Sequence, residues 1–272
     1  MRKVFAVMIV FMCLASSAAY SETISLTLDG SKGKLSAEIQ KPALKSGEKC
    51  RMVMLLHGFT GSKSNRPLTD IADALEARGI ASIRFDFNGH GQSEGAFSEM
   101  TVLNEIDDAR KVYDYVKALG YVDGVSIAGH SQGGVVTSML AGQLGHENVK
   151  SIVLLAPAAV LRDDALRGNV FGVAFDAGNP PETVKIMGQF EMGRDYVLTA
   201  QTLQIYPTAE KFTGPVCLIH GTADRIVPYT YSEHYHRLYE NSGLDLIDGA
   251  DHGFTGFEGE AARIAVDFLT NH

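Results

Sequence analysis

Between residues 125 and 136 the chain reads Val-Ser-Ile-Ala-Gly-His-Ser-Gln-Gly-Gly-Val-Val. An apolar run enters Gly129-His130-Ser131-Gln132-Gly133, and a helical pattern leaves it. Few folds accommodate Gly-x-Ser-x-Gly between a strand and a helix. So tight a turn forces the serine into a strained backbone region, and its neighbours must be small for strand and helix to approach each other. Gly129 and Gly133 meet that demand, two residues to either side. The strain lifts the Ser131 hydroxyl clear of the strand end, where a base can reach it. Alone, the string arises by chance and marks only a tight turn. The flanking strand and helix make Ser131 a candidate nucleophile.

The rest of the chain alternates strand and helix patterns around this point. Thr23 to Leu28 and Leu35 to Gln40 alternate apolar and polar residues across Asp29-Gly30-Ser31-Lys32-Gly33, which predicts an antiparallel hairpin at a sheet edge. Met52 to Leu56, Ser151 to Leu155 and Val216 to Ile219 are almost continuously apolar, as strands buried on both faces are, and Ile80 to Phe85 reads as a further strand. Leu244 to Ile247 reads as a last short strand. Helical spacing falls over 67–78, 102–119, 132–144, 232–239 and 260–269. The expectation is an α/β fold with a mostly parallel eight-stranded sheet flanked by helices.

Residues 156–213 break the rhythm. They carry Gly168, Gly172, Gly178, Pro180, Pro181, Gly188, Gly193 and Pro207 among the aromatics Phe171, Phe175, Phe190, Tyr196 and Tyr206. A simple crossover needs far fewer residues. The segment reads as an inserted lid or cap over the carboxyl edge of the sheet, within one domain spanning 22–272.

A serine hydroxyl is a poor nucleophile near neutral pH. It needs a base, and the base needs a partner that fixes its tautomer and stabilises its charged form. Asp224 and His252 each follow a predicted strand, which puts them at the same sheet edge as Ser131. We take His252 as the base and Asp224 as its partner. Asp248 and Asp251 compete for the second role, but adjacency points the Asp251 and His252 side chains apart. His90 precedes the serine, the wrong order for a base in this pattern, and His220, His234 and His236 are read as structural or solvated. The order Ser…Asp…His is that of the α/β-hydrolases. In that pattern two backbone N–H groups hold the reaction's oxyanion, one from the loop after a buried strand and one from the residue after the nucleophile. Here they belong to Phe59, in His57-Gly58-Phe59-Thr60-Gly61, and Gln132.

Arg2 and Lys3, the apolar run from Val4 to Leu14 and the small residues Ala15 to Ser21 have the order of a signal peptide. Residues 1–21 are expected to direct secretion or transfer to the periplasm, with no membrane span after their removal. The whole 272-residue chain has a net charge of −8, and loss of Arg2 and Lys3 makes the remainder more acidic still. Such a chain does not seek nucleic acid or anionic membrane. Cys50 and Cys217 lie at or in apolar strands and read as buried free thiols, although an exported protein permits a disulfide. No cysteine–histidine spacing suggests a metal, and no cofactor motif is present. Self-association as a homodimer is left open.

Several longer strings carry a resemblance. They are Phe85-Asp86-Phe87-Asn88-Gly89-His90-Gly91-Gln92-Ser93, Gly129-His130-Ser131-Gln132-Gly133-Gly134, Leu154-Leu155-Ala156-Pro157-Ala158, Leu218-Ile219-His220-Gly221 and Gly249-Ala250-Asp251-His252. Together the chain resembles the bacterial feruloyl (cinnamoyl) esterases of the α/β-hydrolase superfamily. The resemblance implies hydrolysis of hydroxycinnamate esters of plant cell-wall sugars or small alcohols, with the insertion forming the pocket for the aromatic acyl group. It further implies that Asp164 and Tyr196 hydrogen-bond the ring hydroxyl. A carboxylate and a phenol suit that task, because a phenolic hydroxyl both donates and accepts. The open alternatives are a short-chain carboxylesterase or monoacylglycerol lipase, a serine peptidase, and a non-catalytic binding protein on the same scaffold.

Overall fold

The computed structural model describes residues 21–272, so the proposed signal segment lies almost wholly outside the described residues. The chain opens with β1 (Glu22–Asp29) and β2 (Lys34–Lys41), the expected hairpin, which places β1 at one sheet edge. Then follow β3 (Cys50–Leu56), α1 (Leu68–Glu76), β4 (Ala81–Phe85), α2 (Val102–Ala118), β5 (Val122–His130), α3 (Gln132–Leu144) and β6 (Ile152–Leu155).

After β6 come α4 (Val160–Arg167), the short strands β7 (Asn169–Val170), β8 (Val173–Ala174), β9 (Thr183–Ile186) and β10 (Phe190–Gly193), then α5 (Arg194–Thr202) and α6 (Ile205–Ala209). The main sheet resumes with β11 (Val216–Gly221), α7 (Thr230–Leu238), β12 (Ser242–Ile247) and α8 (Glu258–Asn271). Its eight strands lie in the order β1-β2-β4-β3-β5-β6-β11-β12. Pairing is antiparallel from β1 to β2 and from β2 to β4, and parallel everywhere else. This is the α/β-hydrolase fold.

The continuous apolar runs are explained by where alternate residues go. Met52, Met54 and Leu56 of β3 face one core layer with Ile106, Val112 and Val116 of α2 and Val136 and Leu140 of α3. Val53 and Leu55 of the same strand face the opposite layer with Leu68, Ile71 and Leu75 of α1 and Ala261, Ala265 and Leu269 of α8. A polar side chain at any of these strand positions would be buried without a water partner, which is costly. From β3 the chain passes to β4 on one side and then to β5 on the other. Such a reversal opens a crevice at the carboxyl ends of the strands, where ligands bind in open α/β sheets. Ser131 stands there, directly after β5.

Residues 156–213 contain helices and also two small antiparallel hairpins that the sequence reading does not anticipate. In β9 the burial alternates, with Val184 and Ile186 inward, so a period of two was present over only four residues. Its turn runs through Met187 and Gly188, both with positive φ (48° and 76°), and closes with the Gln189 N–H donating to the Ile186 carbonyl at 3.3 Å. Methionine at a left-handed position conceals a turn that asparagine would have advertised. The second hairpin packs back onto the loop at 97–99. Gly193 passes so close to the Ser98 carbonyl that a Cβ would not fit, and the Phe190 ring lies 5.0 Å from Phe97.

Candidate active site

The elbow has the geometry the sequence demands. Ser131 sits at φ 58° and ψ −123°, a region that L-residues rarely occupy. A Cβ on Gly129 would strike the Gly133 carbonyl, and one on Gly133 would strike the carbonyls of Leu56 and His57. Both glycines are therefore required by close backbone approach. Gly58 faces the serine from the neighbouring loop, where a Cβ would lie 2.7 Å from that of Ser131.

Three loops from the ends of β5, β11 and β12 bring Ser131, Asp224 and His252 together. Ser131 Oγ donates to His252 Nε2 at 2.8 Å, and His252 Nδ1 donates to Asp224 Oδ2 at 2.7 Å. The other carboxylate oxygen accepts the backbone N–H groups of Ile226 (2.8 Å) and Val227 (2.9 Å). Asp224 is buried, which by itself opposes ionisation. Hydrogen bonds from His220 and His252, the charge of His252 and the Val227 N–H outweigh that burial and hold the carboxyl well below its ordinary range. It therefore remains an anion that accepts from Nδ1 and leaves Nε2 as the basic nitrogen. Asp248 and Asp251 are engaged elsewhere, the first by the Thr222 hydroxyl and the second by the N–H groups of Gly253 and Thr255.

Two further histidines brace this arrangement. His220, read as structural from sequence, is fully buried against the triad carboxylate. Its Nε2 donates to Asp224 Oδ2 (3.1 Å) and the Val227 carbonyl (2.9 Å), while Nδ1 accepts from Ser232 Oγ (2.6 Å). His130, within the elbow itself, donates from Nε2 to the His252 carbonyl at 2.8 Å. Nothing in the sequence beyond its place beside Ser131 marked His130 for this role. Burial and the nearby His252 push His130 down to about 3, so it is neutral and holds one proton for that bond. His57 is also pushed down to about 3, by burial and then by His90; it donates from Nδ1 to the Gly58 carbonyl and accepts the Phe87 N–H on Nε2. It thereby fixes the loop carrying Phe59. His90 lies beside His57, with ring centroids 5.0 Å apart, outside the triad.

These depressed histidines make stability depend on pH. An unfolded histidine takes up a proton near pH 6.5, whereas folded His57 and His130 resist until about pH 3. Below pH 6.5 the unfolded state therefore binds more protons, and stability falls with pH by up to roughly 1.4 kcal/mol per unit for each residue. Asp224, with its folded value depressed, adds a further loss only below about pH 4. Buried Glu105, whose carboxyl burial holds well above its ordinary range, works in the opposite direction over the same window. The histidine contribution is therefore read as a difference: between pH 6 and pH 4 the urea midpoint of the wild type is expected to fall more steeply than that of His130→Gln, and equal slopes would contradict the His130 assignment.

Phe59 and Gln132 line the same cavity as Ser131. Gln132 opens α3, so its N–H has no intrahelical partner, and the Phe59 N–H has no backbone acceptor among the described residues. Two clefts meet at the serine. A cavity of about 370 Å³ runs under the lid, lined by Phe59, Gln132, Asp164, Phe171, Tyr196 and Ile226 among others. A cleft of about 260 Å³ lies on the other side, against Thr60, Asn65, Arg66, His130 and His252. Asp164 and Tyr196 are thus brought to one cavity. Burial raises the Asp164 carboxyl above its ordinary range, against the pull of Arg167 at 2.7 Å. The Tyr196 hydroxyl is already committed as a donor, to Gln132 Oε1 at 2.8 Å, which leaves its oxygen free to accept.

Comparison with known proteins agrees with the geometry. Residues 47–175 match the family model described as serine aminopeptidase, S33. Est1E from Butyrivibrio proteoclasticus, solved with ferulic acid bound, superposes with a TM-score of 0.82 at 30% identity, covering 90% of this chain and 99% of that one. The uncharacterized protein YfhR of Salmonella typhi is 27% identical over 220 residues, 80% of this chain and 70% of its own. The lysophosphatidylserine lipase ABHD12 of Xenopus tropicalis is 30% identical over 186 residues, 65% of this chain. This chain spans less than half of that lipase, 44% of its length. The chain belongs to the α/β-hydrolase superfamily and, within it, to the bacterial feruloyl-esterase family whose motifs its sequence carries.

Proposed function

We propose that the chain is a serine esterase that cleaves hydroxycinnamoyl esters, such as feruloyl and p-coumaroyl esters of plant cell-wall sugars or small alcohols. The observation that carries this reading is the lid cavity. It offers aromatic walls from Phe59, Phe171 and Tyr196, with the Asp164 carboxyl and the Tyr196 oxygen as polar groups in the same lining. A planar phenolic acyl chain asks for that combination.

The reaction follows from the triad. His252 Nε2 removes the Ser131 proton as Oγ attacks the ester carbonyl. The carbonyl oxygen becomes an oxyanion between the N–H groups of Phe59 and Gln132, which gain strength as charge develops. His252 then returns the proton to the leaving alcohol, and water repeats the sequence to release the acid. This assigns the two clefts. The leaving oxygen must come within reach of His252 Nε2, and His252 lines the smaller cleft but not the lid cavity. The acyl group therefore lies under the lid and the alcohol lies toward Thr60, Asn65 and Arg66. Arg66 is already bonded to Asp70 and paired with Glu258 at 3.7 Å, so the cleft favours a neutral hydroxylated alcohol over an anionic one. We further propose that residues 1–21 act as an export signal, which would put such an enzyme where wall esters occur.

Asp164→Leu tests the pocket. It should lower kcat/KM for methyl p-coumarate by about tenfold, the worth of one hydrogen bond, while hydrolysis of p-nitrophenyl butyrate changes little. Equal losses on both esters would remove Asp164 from ring recognition. A second reading, a lysophospholipid or monoacylglycerol lipase, draws on Phe171 and Ile226, which line the cavity yet remain 43% and 49% exposed. Preference for long-chain acyl esters would favour it.

A further inference from the structure

Behind the oxyanion residue Gln132 lies a carboxyl group that the reaction does not use. Glu105 projects from α2 and is 1% exposed. Its Oε2 accepts from Gln132 Nε2 at 2.8 Å, and its Oε1 has no hydrogen-bond partner among the described residues. Gln132, equally buried, passes the contact on, since its Oε1 accepts the Tyr196 hydroxyl at 2.8 Å. Tyr196 in turn packs against Phe59, with ring centroids 5.4 Å apart. A buried carboxyl with an unsatisfied oxygen is costly. It is not explained by core packing, because an apolar side chain of similar size would fill the same space.

An amide side chain has a donor end and an acceptor end. Glu105 accepts at the donor end of Gln132, which forces the acceptor end toward Tyr196. Tyr196 must then spend its single proton on Gln132 and face the lid cavity with a lone pair. If nothing held the amide, it could turn over, donate to the Tyr196 oxygen and turn the tyrosine proton toward the ligand. We propose that Glu105 is a positioning residue that, through the Gln132 amide, sets Tyr196 as a hydrogen-bond acceptor and so selects acyl groups bearing a free ring hydroxyl over their O-methylated counterparts. The specificity half of this proposal rests on the hydroxycinnamoyl reading above; the relay itself does not.

The test compares Glu105→Gln, which still presents a full acceptor, with Glu105→Met, whose thioether is only a weak one. The readout is the ratio of kcat/KM for methyl 4-hydroxycinnamate over methyl 4-methoxycinnamate. Glu105→Met is expected to lower that ratio about tenfold, the scale of one neutral hydrogen bond, and Glu105→Gln, whose amide can pair with Gln132 in either sense, to fall between that variant and the wild type. Equal losses on both esters, or a ratio unmoved by Glu105→Met, would overturn the specificity role. A stability cycle combining Glu105→Met with Tyr196→Phe reads the relay without substrate. Shifts in urea midpoint that fail to add are expected of one network, and additive shifts would overturn it. Glu105→Leu with Tyr196→Phe serves in the same cycle if the methionine variant does not fold. A wild-type protein that hydrolyses p-nitrophenyl butyrate but neither cinnamate overturns the specificity half together with the substrate reading, while the cycle still decides the relay.

Discussion

Ser131→Ala lowers kcat by about a million-fold, the loss seen when the nucleophile of a serine triad is removed. The expectation rests on the 2.8 Å bond from Oγ to His252 Nε2 and on the strained φ of 58° that presents the hydroxyl. Adding His252→Ala to that variant costs almost nothing more, because the two residues act in one proton transfer and neither is useful alone. A residual rate of about a thousandfold over water remains in both, from the Phe59 and Gln132 N–H groups and from binding. Rates measured with methyl ferulate at enzyme concentrations high enough to detect that residue check the point. Multiplicative losses in the double variant would show that His252 acts apart from Ser131.

Asp224→Asn should lower kcat by about ten-thousandfold, as loss of a triad carboxylate's charge does elsewhere, with the fold intact. The mechanism is electrostatic and tautomeric. An amide in place of Oδ2 presents a donor to His252 Nδ1, which favours the wrong ring tautomer. The imidazolium that forms when Ser131 attacks also loses its anion. His220 adds to the effect, because its Nε2 proton then loses one of its two acceptors. Asp248→Asn and Asp251→Asn serve as controls, since their carboxylates hold loop N–H and hydroxyl groups and reach no histidine ring. Both controls are expected to retain kcat within a few-fold. A large loss in Asp251→Asn with little in Asp224→Asn would reverse the assignment.

How much of this was legible in the sequence depends on which physical constraint was local. The elbow was legible because Gly129, Ser131 and Gly133 answer to a single turn, where a Cβ has no room. The strands of the main sheet were legible because burial on both faces removes every polar side chain from runs such as Met52 to Leu56. The lid was visible only as a break in rhythm. The strands of its hairpins are four residues long or less, and the turn at Met187-Gly188 lacks the usual residues, so local pattern could not name them.

Roles that depend on distant contacts were the least legible. His220 reads only as structural and His130 only as a member of the elbow motif, yet each reaches the triad through a bond fixed by the tertiary fold. Glu105 falls within the helical spacing of 102–119 with nothing local to single it out. Its burial follows from α2 packing beneath α3, where Gln132 and Tyr196 meet it. Tyr196 itself was reached through family likeness; that its proton is spent on Gln132 is a fact of the folded chain alone.

The central claim, hydrolysis of hydroxycinnamoyl esters, is tested most directly by kcat/KM for methyl ferulate against p-nitrophenyl butyrate and a long-chain monoacylglycerol, with Ser131→Ala as the blank. The account predicts turnover of ferulate exceeding that of the monoacylglycerol by at least about a hundredfold, roughly the 2.7 kcal/mol that two pocket hydrogen bonds supply. Turnover of butyrate or monoacylglycerol with none of ferulate would contradict it, leaving a serine hydrolase whose lid cavity takes a different acyl chain.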